Sequence, residues 1–498
     1  MTTLSARLLE PALRDSLASW RAQYPRFGAL VDDGAPSLQA LRYLGLALWQ
    51  DGRLGEAANV LTQAAAEAPA DPAMLGELGS LLCAAGRKAE ALRCLTASLA
   101  LAPRQLQVWL NVGGLRVELG DADNAEQAYR AALELDPDSA EAGVGLGLLY
   151  IERRRYQDAA RLLGAAVARG VTAMPVYACL GQTLYLLGDF AGAAEALEKA
   201  ARACPSEARI IQKYAEARLI EKLIAGSVVE AIESYLAIAG RHAQDLIVVC
   251  GRAFQILCAY GKADAAIRLG EILQKRSPED PIVAYHLDAL HGRPRERAPD
   301  AYLAACFGAY AEDFDRHLVE VLDYRVPETM GAMLARSGRA FPRMLDLGCG
   351  TGLAAPSLAP LGGHLTGVDI APRMLDKARE RNLYGELFEG EAVAWLEGAE
   401  SRFDLVTALD MVIYFGDLSA LFAAVARRLA PGGVFAFSFE TLACDRFALR
   451  PSGRFAHDPG YVASLLGAEF SVLDRQASIL RFEANQPVLG EVLLLRRA

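Results

Sequence analysis

The chain has 498 residues, 53% of them hydrophobic and 22% charged, and a formal net charge of -10 at pH 7. That length exceeds a single core, so two or three domains are expected. The acidic balance runs through both halves and excludes a dedicated nucleic-acid binder, which needs clustered Lys and Arg.

No window of about 18 apolar residues lacks charge, which excludes a spanning helix. The first residues, Met-Thr-Thr-Leu-Ser-Ala-Arg, carry no apolar signal core, and a cytoplasmic protein is expected. Nine cysteines lie scattered without a C-x-x-C pair, so neither a disulfide framework nor a metal site is expected.

Residues 1–36 hold an amphipathic segment, Leu4 to Trp20, and a loop with Pro25, Gly28, Gly34 and Pro36; they read as an N-terminal helical cap. From Ser37 the chain repeats itself. Gly45, Gly79, Gly113, Gly147 and Gly181 stand 34 residues apart, as do Ala57, Ala91, Ala125, Ala159 and Ala193. Pro69, Pro103, Pro137 and, two periods on, Pro205 keep the same step. So do Gly52, Gly86, Gly120 and Gly188, with Arg154 as the exception. A glycine on the first helix lets a second helix approach, a small alanine receives it, and the proline ends the unit. Helix pairs of this kind must stack to bury their apolar faces.

After Pro205 the register slips by five residues. Phe254, Gly261, Ala266 and Pro278 restore it, which places a degenerate sixth repeat at about 206–240 and about seven repeats in 37–290. Period and pattern resemble the tetratricopeptide repeat, with Leu41, Leu75, Trp109 and Tyr177 at its bulky first-helix position and Gly143 departing from it. The resemblance implies an all-α solenoid whose groove takes a peptide or protein partner; homodimerisation, or propping up the second domain, is the other reading.

Residues 291–300, charged and with two prolines, read as a linker. Two helices are expected over 301–334, with Tyr310, Phe314, His317, Leu318 and Leu322 at helical spacing. Strands then alternate with helices: Met344–Leu347, Leu365–Asp369, Leu387–Ala392, Phe403–Leu409 and Val434–Phe439, with Phe470–Leu473 and Val488–Leu495 closing the sheet. Such alternation means a parallel sheet with ligands at the strands' carboxyl ends.

The first strand runs into Gly348, Cys349, Gly350 and Gly352, and the second ends on Asp369. Glycines let a backbone turn tightly and meet a ligand, and an acid ending the second strand can accept ribose hydroxyls. A dinucleotide loop spaces its glycines G-x-G-x-x-G; here the spacing is G-x-G-x-G, with Asp346 two residues ahead. This resembles the first motif of class I S-adenosylmethionine-dependent methyltransferases. Residues 301–498 are therefore expected to form an α/β Rossmann-like domain, and the whole chain resembles bacterial proteins that place tetratricopeptide repeats before such a domain.

The resemblance implies the site residues. Asp346, Gly348, Cys349, Gly350, Gly352, Asp369, Ile370, Met374, Glu391, Ala392 and Asp410 would hold S-adenosylmethionine, with Glu389 a rival to Glu391. His317, His457 and Asp410 are the candidates for catalysis, and Tyr310, Glu440, Arg454, Tyr461 and Arg481 for the acceptor. Arg454 or Arg481 is expected to hold a substrate carboxylate in a bidentate fork. No Asn/Asp-Pro-Pro-Tyr/Phe follows the fourth strand and no paired-glutamate loop is present, which disfavours nucleobase, glutamine-amide and arginine acceptors. The expected function is methyl transfer to a small molecule, peptide or protein. A non-catalytic repeat scaffold and a nicotinamide oxidoreductase are the alternatives.

Overall fold

The structure, a computed structural model, describes residues 11–32, 35–293, 295–312 and 314–498. Most of the expected cap segment's first half, Leu4 to Glu10, and Gly34 lie outside them, as does the side chain of Tyr310. By internal contacts the chain divides into two units. One is Met1–Tyr185 with Glu195–Ile210; the other is Leu186–Ala194 with Ile211–Ala498.

After a helix over Pro11–Gln23 and the short strands β1 (Val31–Asp32) and β2 (Ala35–Pro36), helices follow in pairs. Leu38–Gln50 with Leu54–Glu67 is the first pair, and Leu246–Ala259 with Ala263–Arg276 the seventh. A single helix, Pro281–Leu290, comes next. Each 34-residue landmark has a mechanical cause. Gly52, Gly86, Gly120 and Gly188 close the turns between paired helices at φ of 74° to 77°, and Arg154 takes the same left-handed conformation at φ 56°. A side chain disfavours that conformation and glycine does not, which is why the position repeats.

The first-helix glycines work through space. A Cβ on Gly45, Gly79 or Gly113 would lie 2.5–2.7 Å from Leu61, Leu95 or Tyr129, each sixteen residues later. The residue seated on the glycine is thus a bulky one. The alanines expected to fill that role are fully buried beside it: Ala57, Ala91, Ala125, Ala159 and Ala193 have no exposed surface. At the departing repeat the ring of Tyr129 also covers Gly145, whose Cβ would sit 2.5 Å from it.

In the second unit nine strands form one sheet among the described residues. They are β3 (Arg343–Leu347), β4 (His364–Asp369), β5 (Glu386–Glu389), β6 (Phe403–Ala408), β7 (Leu429–Thr441), β8 (Phe447–Leu449), β9 (Phe455–His457), β10 (Phe470–Glu483) and β11 (Gln486–Arg497). Their order is β10-β11-β7-β6-β3-β4-β5, with β9 joined to β7 and β8 to β9. The strands β3 to β7 pair in parallel, and β11 and β10 add antiparallel. Alternation along β7 sends Phe435, Phe437 and Phe439 into one apolar layer and Val434 and Ala436 into the other. The strand order reverses at β3, with β4 and β5 on one side and β6 and β7 on the other, and the crevice lies at the carboxyl ends of β3 and β6.

Residues 301–334 form three helical pieces, Asp300–Tyr310, Phe314–Val321 and Val326–Arg336, rather than two. The middle piece is one α-helical turn that passes into a π-helical turn, His317–Val321. The linker is not slack. Ala298 N donates to Tyr414 O at 2.8 Å, and Glu296 O accepts from Gly416 N at 2.7 Å and Asp417 N at 3.1 Å. Arg297 and Phe415 form an antiparallel bridge. Arg293 and Arg295 both reach Asp288 on the helix Pro281–Leu290, at 2.8 and 3.0 Å.

Candidate active site

A cavity open at its mouth occupies the crevice between β3 and β6. Ten expected cofactor positions line it: Asp346, Gly348, Cys349, Gly350, Asp369, Ile370, Met374, Glu391, Ala392 and Asp410. Gly352 does not; it packs against Tyr384 and Arg381 where the turn enters the next helix.

Gly348 leaves β3 at φ 63°, and a Cβ there would lie 2.6 Å from Met411. A Cβ on Gly350 would be 3.9 Å from Phe314, which also lines the cavity, so the bare backbone keeps that space open. The Gly350 N–H donates to Asp369 Oδ2 and the Ala371 N–H to Oδ1, both at 2.8 Å. The Asp369 carboxylate is thereby fixed, with lone pairs left for two further donors. Burial raises its pKa against those backbone donors.

Asp346, 2% exposed, accepts from Tyr384 Oη and Thr407 Oγ1, each at 2.7 Å. Burial pushes its pKa up to about 6. Glu391 caps the helix Ala392–Gly398 through Val393 N (3.1 Å) and Ala394 N (2.8 Å), and Arg297 of the linker reaches it at 3.2 Å. Glu389 is exposed and outside the lining. The Cys349 thiol is buried and its pKa driven well up, so it fills space and supplies no nucleophile.

Leu303, Phe307, Phe314, Leu318 and Tyr324 cover the cavity from the helical pieces before β3, and Met411, Tyr414 and Phe415 from the turn after β6. Phe307 meets Phe314 and Tyr414 edge to face, with centroids 6.1 and 5.5 Å apart. The cover is tied down. Asp315 accepts from Thr351 Oγ1 and from Arg381, whose Nε donates to Thr351 O at 2.6 Å, and Phe482 N donates to Leu322 O at 2.7 Å. Sequence reasoning missed Tyr324, Met411 and Tyr414. Met411 and Tyr414 had adjacency to the end of β6 as their signal, and Tyr324 its place between two helices.

The acceptor assignments fare differently. Arg481, with no exposed surface, donates from Nε to Glu483 (2.6 Å), from Nη1 to Asp410 (2.6 Å) and from Nη2 to Glu440. Arg454 pairs with Glu483, and Arg450 reaches Glu440 at 3.0 Å. Neither Arg454 nor Arg481 lines the cavity, so the expected carboxylate fork is corrected: their donors serve the protein's own acids. Glu440, 1% exposed, is one of these acids and is closed to substrate.

His457 is fully buried, and its Nε2–H donates to Phe415 O (2.8 Å) and Gly416 O (3.1 Å). Burial lowers its pKa to about 4. It is a structural donor, not a base facing the cavity. Tyr461 accepts from Leu418 N at 2.9 Å and donates to Asp417 at 3.2 Å, again away from the cavity. His317, half-buried on the π-helical turn, is not among the lining residues. Among the described residues, Asp410 alone of the expected catalytic and acceptor positions lines the cavity. It holds a left-handed backbone at φ 52°, with its N–H on Ser438 Oγ at 3.1 Å. Asp tolerates that region better than most residues, and such strain gathers at functional sites.

The arrangement fits an adenosyl sulfonium bearing an amino-acid tail. A cradle without side chains lies beside a fixed carboxylate, a second buried carboxylate stands next to it, and apolar walls face both.

Comparison with known proteins agrees with this geometry. Residues 344–433 match a family model described as methyltransferase domain, and residues 25–72, 77–140 and 116–178 match tetratricopeptide-repeat models. A ubiquinone biosynthesis O-methyltransferase from Xanthomonas oryzae pv. oryzae is 33% identical over 144 residues, covering 28% of this chain and 58% of that protein. The biotin biosynthesis bifunctional protein BioCD of Bordetella avium is 38% identical over 160 residues, covering 30% and 32%. The chain thus spans about half or less of the length of these relatives. Among solved structures, the N-methyltransferase NodS from Bradyrhizobium japonicum in complex with S-adenosylhomocysteine is 20% identical. That match covers 39% of this chain and 97% of the other, with a TM-score of 0.32. By these matches the chain carries tetratricopeptide repeats within residues 25–178 and a methyltransferase-type domain over residues 344–433. Among its described residues no helix is long and apolar enough to cross a membrane, and no cluster could hold a metal ion.

Proposed function

We propose that the chain is an S-adenosylmethionine-dependent methyltransferase that binds its cofactor in the cavity between β3 and β6, with the repeat array recruiting the substrate or a partner protein. The observation that carries this reading is the Gly348–Gly350 cradle locked to Asp369 by the Gly350 N–H at 2.8 Å. Asp369 accepts the ribose hydroxyls, Asp346 faces the ammonium of the amino-acid tail, and Ile370, Met374, Glu391 and Ala392 enclose the adenine.

When bound, the cofactor supplies an electrophilic methyl group on a sulfonium. Transfer cancels that positive charge, so orientation and water exclusion, worth roughly 7–11 kcal/mol, outweigh any acid or base. Phe307, Phe314, Leu318 and Tyr414 exclude water, and Asp410 orients the acceptor at the cavity floor. The test is a calorimetric titration of the full chain with S-adenosylhomocysteine and, side by side, with NAD. We expect the first to bind and the second not to. Asp369→Ala should abolish binding while circular dichroism stays unchanged; unchanged affinity would refute the assignment.

A further inference from the structure

We infer that the acceptor is an amine carried on an apolar or aromatic framework, and that the cavity discriminates against carboxylates and phenols. This rests on the cofactor reading above. The acceptor half of the cavity is walled by Phe307, Phe314, Leu318, Tyr324, Asp410 and Tyr414. The ionisable carboxyl side chains in the described lining are those of Asp346, Asp369, Glu391 and Asp410, and no Lys, Arg or His is among the described lining residues. The guanidiniums that reach these acids do so from outside the lining and are saturated: Arg481 binds Asp410, Glu440 and Glu483, and Arg297 binds Glu391 and Asp300, while Arg454 binds Glu483.

Such a wall ranks nucleophiles. A phenol must become a phenolate before it attacks, and the one guanidinium beside the acceptor half, that of Arg481, is already shared among Asp410, Glu440 and Glu483. A carboxylate acceptor meets the same repulsion on entry. An amine enters as its ammonium, gives a proton to water at the open mouth, and attacks as a neutral lone pair. Its nitrogen forms the N–C bond, the C–S electron pair stays with sulfur, and the positive charge moves from sulfur to nitrogen. The product leaves through the mouth as the N-methylammonium, so no protein base is needed after transfer. At no stage does an anion appear in the cavity. The aromatic faces of Phe307, Phe314 and Tyr414 favour a cation beside them, and burial drives the Tyr414 hydroxyl up to about 12, so it stays neutral.

The test uses the full chain saturated with S-adenosylhomocysteine, whose own titration is made first. Titration of 2-phenylethylamine, 3-phenylpropanoate and 4-ethylphenol into that complex by calorimetry should rank the amine about tenfold or more tighter than the other two. Labelled cofactor should methylate only the amine. In Asp410→Asn the preference should shrink toward parity, and the wild-type ranking stands without the variant should it fold poorly. Equal or reversed ranking, or no binding of the amine, overturns the inference. Failure of S-adenosylhomocysteine to bind at the outset would instead overturn the cofactor reading.

Discussion

Replacing Asp346 with Asn should stabilise the free chain and weaken its hold on the cofactor. Asp346 is buried, and its pKa is pushed from the ordinary 3.8 to about 6, chiefly by burial. A carboxyl whose folded pKa is raised contributes stability that is complete below the unfolded pKa and is lost as pH rises through the folded one. The gap amounts to about 3 kcal/mol. The variant and the wild type should therefore be equally stable near pH 4, and the variant ahead by up to about 3 kcal/mol at pH 8. Affinity should move the other way. Loss of a carboxylate facing an ammonium costs on the order of 2 kcal/mol, or roughly 30-fold. Wild-type affinity should itself fall about tenfold from pH 7 to pH 5, where only one carboxyl in ten is ionised, and the variant should show no such slope. Urea melts and S-adenosylhomocysteine calorimetry at pH 4 to 8 measure both. A variant no more stable at pH 8, or a wild-type affinity flat with pH, would refute the reasoning.

Gly86 sits at φ 74° with open space where a Cβ would go, so Gly86→Ala should cost about 1–2 kcal/mol from backbone strain alone, read as a lower urea midpoint. Arg481→Ala would leave Asp410, Glu440 and Glu483 facing one another without their shared cation; a loss of about 3–5 kcal/mol, or failure to fold, is expected in the same melts. His457, with a pKa lowered to about 4, should remain neutral by NMR at pH 5. Because the unfolded histidine gains its proton first, His457→Asn should remove a stability loss that the wild type shows as pH falls from about 6.5 to 4.

The cofactor side was readable because its chemistry is local. Gly348, Gly350 and Asp369 come from two adjacent strands whose turn geometry the residue types dictate. The repeat was readable for the same reason, and Arg154 holds the glycine's φ without being glycine. The acceptor side was not. Arg481, Arg454 and His457 look like polar residues near strand ends, and their burial follows from the pairing of β10 on β11, β11 on β7 and β9 on β7. No local pattern encodes that pairing. The strand β10 was cut short at Leu473 because it lies at the sheet's edge, where both polar and apolar residues face solvent and alternation fades.

The segment Glu296–Ala298 props the cavity's own wall through a single β-bridge and three backbone hydrogen bonds. A catalytic fragment trimmed to begin at residue 301 would strip Tyr414 O and Gly416 N of their backbone partners and Glu391 of Arg297. Any excised enzyme should therefore begin before residue 288, so that Asp288 and its two arginines travel with the wall they steady.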